Sequence, residues 1–86
     1  MLEYIEMQPL DALREGERAY IVGVDEGHAL GGRLTDLGWT AGTPIRCVRV
    51  SPLGDPVAFE VRGSVIALRR ADLGGIWVRA RGDAGR

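Results

Sequence analysis

Lysine is absent from this 86-residue chain, and all 11 basic residues are arginine. Without lysine no Gly-x-x-x-x-Gly-Lys phosphate loop can exist. Cysteine and histidine occur once each, at Cys47 and His28. One cysteine excludes an internal disulfide, and the chain offers no second residue of either type for a Cys/His metal site. An excess of positive charge is missing too: 11 basic residues face 12 acidic ones, for a net charge of −1. A sequence-independent nucleic-acid binder draws its affinity from neutralised phosphates and needs such an excess. No apolar run approaches the roughly 20 residues of a membrane span, and no signal-peptide core is present. A cytoplasmic, non-enzymatic protein is the expectation.

The chain has the length of one domain, residues 1–86, with a flexible tail expected over residues 82–86. An apolar fraction of 45% and a charged fraction of 27% are ordinary for a globular protein. Thirteen glycines cut it into short segments, the pattern of a small all-β fold. Pro9 to Gly16 reads as one helical turn capped by Asp11. Ala19 to Val24 reads as a first strand. From His28 to Leu37 the period changes: Leu30, Leu34 and Leu37 share one side of a short helix of up to about three turns, stopped by Gly38. Gly31-Gly32 near its start, each costing about 1 kcal/mol against alanine, delays the regular helix or lets another backbone pass close by.

Strands follow at Pro44 to Val50, at Val57 to Val61, at Val65 to Leu68 with Ile66 and Leu68 inward, and at Ile76 to Ala80. Val57, Phe59 and Val61 alternate with Ala58, Glu60 and Arg62, so one face is apolar and the other more polar. A single helical turn is expected between Arg70 and Gly75. In Pro52-Leu53-Gly54-Asp55-Pro56, Pro52 presets a turn, Gly54 accommodates positive φ, and Pro56 extends Asp55. Five short strands with one helix after the first predict a strongly bent barrel, whose closure hides its edges.

The segments "PLDALREGERAYIVGV", "GGRLTDLGWTAGTPIRCVRVSPLGDPVAFEVRG" and "VIALRRADLGGIWV", in this order, closely resemble the ferrous iron transport protein A (FeoA) family. The resemblance runs from about Pro9 to Val78. It rests on Arg-Leu-x-x-Leu-Gly at Arg33 to Gly38, Gly42-Thr43, Pro-Leu-Gly-Asp-Pro at Pro52 to Pro56, and Ala67-Leu68-Arg69. Residues 1–8 extend beyond a minimal family start, and Trp39 stands where an aliphatic residue is common in the family. The resemblance implies a mainly β, SH3-like barrel. It also implies an accessory role in bacterial ferrous iron uptake, through contact with the membrane transporter FeoB and its cytosolic G domain, at the inner face of the membrane. The same barrel closes some iron-dependent repressors. A regulatory domain of that kind, or a nucleic-acid-associated module, is therefore the runner-up; the absence of a preceding helix-turn-helix favours the freestanding reading.

Candidate contact residues follow from the strand pattern. With Ile76 and Val78 inward, Trp77 and Arg79 face outward, where tryptophan beside arginine is typical of an interface hot spot. The other reading covers Trp77 with Leu2, Tyr4 or Ile5. Arg69 and Arg70 are placed to pair with acidic groups of a G domain. Leu53, at a turn tip, is expected to reach a partner together with Asp55. The tryptophans suit self-association equally well. Asp25, Glu26 and His28 are weak metal candidates. No cofactor is expected to be required, and zinc, which outcompetes ferrous iron at most nitrogen and oxygen sites, would bind adventitiously. Cys47, between apolar neighbours, is expected to be buried and inert.

Overall fold

A computed structural model describes residues 7–80 of the chain. Six strands form one antiparallel sheet in the order β1-β6-β2-β3-β4-β5. They are β1 (Met7–Pro9), β2 (Arg18–Val24), β3 (Pro44–Val50), β4 (Val57–Val61), β5 (Ser64–Leu68) and β6 (Ile76–Ala80). The sixth strand corrects the expected five. Met7–Pro9 falls in and beside the stretch read as an extension, and it pairs with Trp77 to Arg79 at the sheet edge. Three residues are too few to display a period of two, and an edge tolerates Pro9. Consequently the helix follows the second strand, not the first. The expected tail over residues 82–86, and Leu2, Tyr4 and Ile5, lie outside the described residues.

Local chemistry also corrects the Pro9 to Gly16 turn. It is a 3-10 helix of three residues, Leu10–Ala12, with no side-chain cap, so Asp11 does not serve as one. Leu10 and Leu13 are nevertheless buried beneath the sheet.

Helix α1 (Gly31–Asp36) is shorter than the His28 to Leu37 segment that the leucine spacing outlined. At its front, Nδ1 of His28 accepts the Leu30 N–H at 3.0 Å and the His28 carbonyl accepts the Gly31 N–H at 3.0 Å. Those bonds make a turn, so the regular helix starts late, at the two glycines. At its end, Gly38 (φ +93°) donates to the Thr35 carbonyl and Trp39 donates to the Leu34 carbonyl at 2.9 Å. This paired closure is the Schellman arrangement, accompanied as usual by an apolar contact across the stop. Leu34 and Trp39 are both buried, while Leu37, at the exit, is 37% exposed.

Bulges between Ile21 and Gly23 in β2 and between Cys47 and Arg49 in β3 bend the sheet. The curled inner face encloses Ile21, Leu34, Ile45, Val57, Phe59, Val61, Leu73, Ile76 and Val78, each at most 1% exposed. Phe59 sits opposite Trp39, with ring centroids 6.1 Å apart and planes at 84°, an edge-to-face pair. The β3–β4 connection stands clear of this core.

Candidate functional site

The β3–β4 connection begins with a turn from Ser51 to Gly54. The Gly54 N–H donates to the Ser51 carbonyl at 2.7 Å, with Pro52 at the second position and Gly54 at φ +90°. Leu53 falls at the tip and is 95% exposed.

The loop is held from one side. Nε of Arg70 donates to the Gly54 carbonyl at 2.7 Å, and the Arg70 N–H donates to Oδ1 of Asp55 at 3.0 Å. Nη1 of Arg70 also makes an ion pair with Asp11, at the far end of the chain's first turn. One guanidinium thus ties the start of the fold to the loop, while the peptide beside it anchors the carboxylate one residue further on. Asp55 and Arg70 are therefore engaged within the chain. Leu53, Asp55 and Arg69 are all exposed, but only Asp55 of the three has its side chain held by a hydrogen bond within the chain.

On β6, the strand alternation places the side chains as the pattern required. Ile76 and Val78 are fully buried, and Trp77 and Arg79 lie half-buried on the outer face. Trp77 Nε1 donates to Oδ1 of Asp25 at 3.0 Å, and the Arg79 guanidinium stacks 4.7 Å from the centroid of the Tyr20 ring.

Asp25, Glu26 and His28 do not converge on a common point. Among the described residues no group of three His, Cys, Asp or Glu side chains could hold a metal ion. His28 is occupied at both nitrogens. Because Nδ1 accepts from the Leu30 N–H, Nε2 carries the proton and donates to the Asp72 carbonyl at 2.9 Å. Asp25 accepts from Trp77 and stands next to Gly75, which adopts φ +86°. Asp25 and His28 latch the β2–α1 turn to the β5–β6 connection and β6, while Glu26 is exposed.

Cys47 is fully buried. Burial pushes its thiol up from the ordinary 9.0, against the opposing pull of a backbone hydrogen bond at Arg49. The thiol is thus neutral near pH 7 and, lacking both charge and access, unreactive. A thiol reagent such as Ellman's is expected to leave the native protein unmodified at pH 8 and to titrate one thiol in denaturant. The unfolded chain releases this proton more readily than the folded one. Stability is therefore unaffected by the group below about pH 9 and declines as pH rises beyond it.

Sequence reasoning missed the clamp centred on Arg70, because Asp11 lies 59 residues away. Only the arrangement of two basic residues next to a turn signalled it.

The bent six-strand sheet, with one helix inserted between β2 and β3, places the protein among the SH3-like barrels. A family model for the FeoA domain matches residues 8–80, and the chain belongs to the FeoA family. It is similar to the FeoA protein of Chlorobium tepidum, at 35% identity and a TM-score of 0.79 over 92% of this chain and 76% of that one. FeoA of Stenotrophomonas maltophilia, a structure in complex with zinc, is 28% identical with a TM-score of 0.73, covering 83% and 88%. T. acidophilum IdeR shares the fold at 21% identity and a TM-score of 0.76, over 94% of this chain but 37% of its own. The family is linked to ferrous iron transport and is not a known enzyme family. No helix among the described residues is long and apolar enough to cross a membrane.

Proposed function

We propose that this chain is a cytoplasmic accessory factor of ferrous iron uptake that binds FeoB from the cytosolic side and modulates it. It works through contact, with no catalysis and no required cofactor. Family membership supports this reading, and the S. maltophilia relative is itself described as an SH3 domain protein suggested to act as a bacterial ferrous iron transport activating factor. The observation that carries the reading to particular residues is Leu53, 95% exposed on a loop that Arg70 holds in place. An apolar side chain so exposed adds nothing to the core, and presenting it on a fixed loop lowers the entropy lost on docking. Arg69 flanks it as a charged contact. Any zinc bound by this chain would be adventitious, since the His28 imidazole is committed at both nitrogens.

The test is co-purification with full-length FeoB in mild detergent, in the presence and absence of guanine nucleotide. Wild type is expected to be captured, and Leu53→Ala to bind about tenfold more weakly, a loss of ~1.4 kcal/mol. Equal capture of the two would remove the loop from the contact. No capture in any nucleotide state would remove FeoB as the partner. Retention on heparin that falls steeply with salt would favour the nucleic-acid alternative.

A further inference from the structure

The outer face of β2, β3 and β4 carries a row of charge that the fold does not need. Arg18 stands directly across from Arg46, and Arg46 directly across from Glu60, so the three lie side by side on adjacent strands. Like charges in directly opposed positions destabilise a sheet. Glu60 offsets one of them, through an ion pair of 2.7 Å with Arg46. Among the described residues no carboxylate lies within ion-pair distance of Arg18, of Arg62 at the end of β4, or of Arg79.

Arg62 adds a second local cost. It occupies the first position of the two-residue Arg62-Gly63 hairpin turn at φ +53°, where asparagine, aspartate or glycine is preferred. Its Nε reaches only as far as the Gly38 carbonyl, at 3.5 Å. Arg18, Arg46, Glu60 and Arg62, together with Tyr20 and Pro44, line an open groove of about 320 Å³. The Tyr20 ring that contributes to this lining is braced by Arg79. Three guanidinium groups thus face a single carboxylate over a floor of aromatic and proline surface, on a chain whose net charge is −1.

We propose that this groove docks an extended acidic segment of a protein partner, with Arg18 and Arg62 holding its carboxylates and Tyr20 and Pro44 packing against its apolar side chains. Arginine's planar fork matches a carboxylate with two parallel hydrogen bonds, which explains its use where asparagine would suit the turn better. An extended strand alternates its side chains, and a segment with acidic residues at every second position brings them all to the arginine side. A nucleic acid fits less well, because the basic patch is confined to one short groove and the molecule as a whole is weakly negative. Local rules of sheet pairing and turn choice are broken here in two places at once, and such breaks cluster where function demands them. The proposal rests on the reading that the chain acts by binding a protein.

The probe is a fluorescein-labelled nonapeptide of alternating glutamate and leucine. Its glutamine counterpart and a single-stranded DNA dodecamer serve as comparisons, and all three are titrated into the whole protein by anisotropy and NMR. The acidic peptide is expected to shift the Arg18, Tyr20, Arg46 and Arg62 resonances, and the glutamine peptide to leave them in place. The double variant Arg18→Gln, Arg62→Gln should bind the acidic peptide at least tenfold more weakly. Arg62→Asn should keep or raise thermal stability while weakening peptide binding; a fall in stability with binding unchanged would make Arg62 a residue of the turn alone. Equal binding of both peptides, shifts confined to other faces, or tighter binding of the DNA at the same residues would each overturn the proposal. The FeoB reading fails separately. If Leu53→Ala loses the transporter while the double arginine variant keeps it, the groove falls and the transporter stands. If FeoB is never captured but the acidic peptide still binds the groove, the groove stands and the transporter falls.

Discussion

Trp39→Ala is expected to cost about 3–5 kcal/mol of folding stability, the range for emptying a large aromatic site in a core. A domain of this length has roughly 4–13 kcal/mol in total. The variant should therefore melt ~15–30 °C below wild type or be substantially unfolded at 37 °C. The reason lies in how the ring reaches the interior. The chain leaves α1 through the left-handed Gly38, and the Trp39 N–H closes on the Leu34 carbonyl. That turn points the indole inward, where it is 2% exposed and meets Phe59 edge-on. Trp39→Phe keeps an aromatic edge and most of the volume, so it should cost less than half as much. Chemical denaturation of the three proteins checks the ordering. Fluorescence supplies a second readout: the Trp39 emission should be blue-shifted in the native state and that of half-exposed Trp77 should not. An alanine variant with near-wild-type stability would mean that the helix stop, not the ring, supports this corner of the core.

Arg70→Ala is expected to cost about 2 kcal/mol and to release the loop that carries Leu53. The ion pair with Asp11 contributes little of this, because the two side chains are 38% and 54% exposed and solvent screens them. Most comes from the charge-assisted hydrogen bond to the Gly54 carbonyl, which is partly buried and otherwise loses its partner. Arg70→Lys retains the charge but cannot reach two acceptors with a fixed fork, so it should recover less than half of the loss. Amide exchange distinguishes a loosened loop from general destabilisation. Protection should fall at the Gly54 N–H first, ahead of the β4 amides, in both variants. FeoB capture should weaken with it even though Leu53 is intact. A variant with an ordered loop and lost capture would instead make Arg70 a direct contact.

Much of the barrel was legible along the chain, for reasons particular to each element. The alternation through Val57, Phe59 and Val61 identified β4 and its buried face, since one face of a pleated strand must be apolar if it is to be covered. Ile76 and Val78 did the same for β6. Gly38 marked the helix stop because left-handed backbone strongly favours glycine. Leu53 could be placed at a tip because Pro52 and Gly54 suit the second and fourth positions of one turn. The misreadings were short-range. Met7–Pro9 is too brief to show a period, Asp11 looked like a cap, and the leucine spacing overran α1 at both ends.

By itself, the order of apolar, turn and glycine residues determined that this is a small bent β barrel with one inserted helix, because those preferences act over two to four neighbouring positions. Tertiary structure alone decided which polar and charged groups meet. Asp11 with Arg70, Asp25 with Trp77 and Arg18 beside Arg46 are pairs set by strand register and loop closure. A hydrogen bond depends on separation in space, and the 59-position separation of Asp11 and Arg70 along the chain leaves no periodic trace of it.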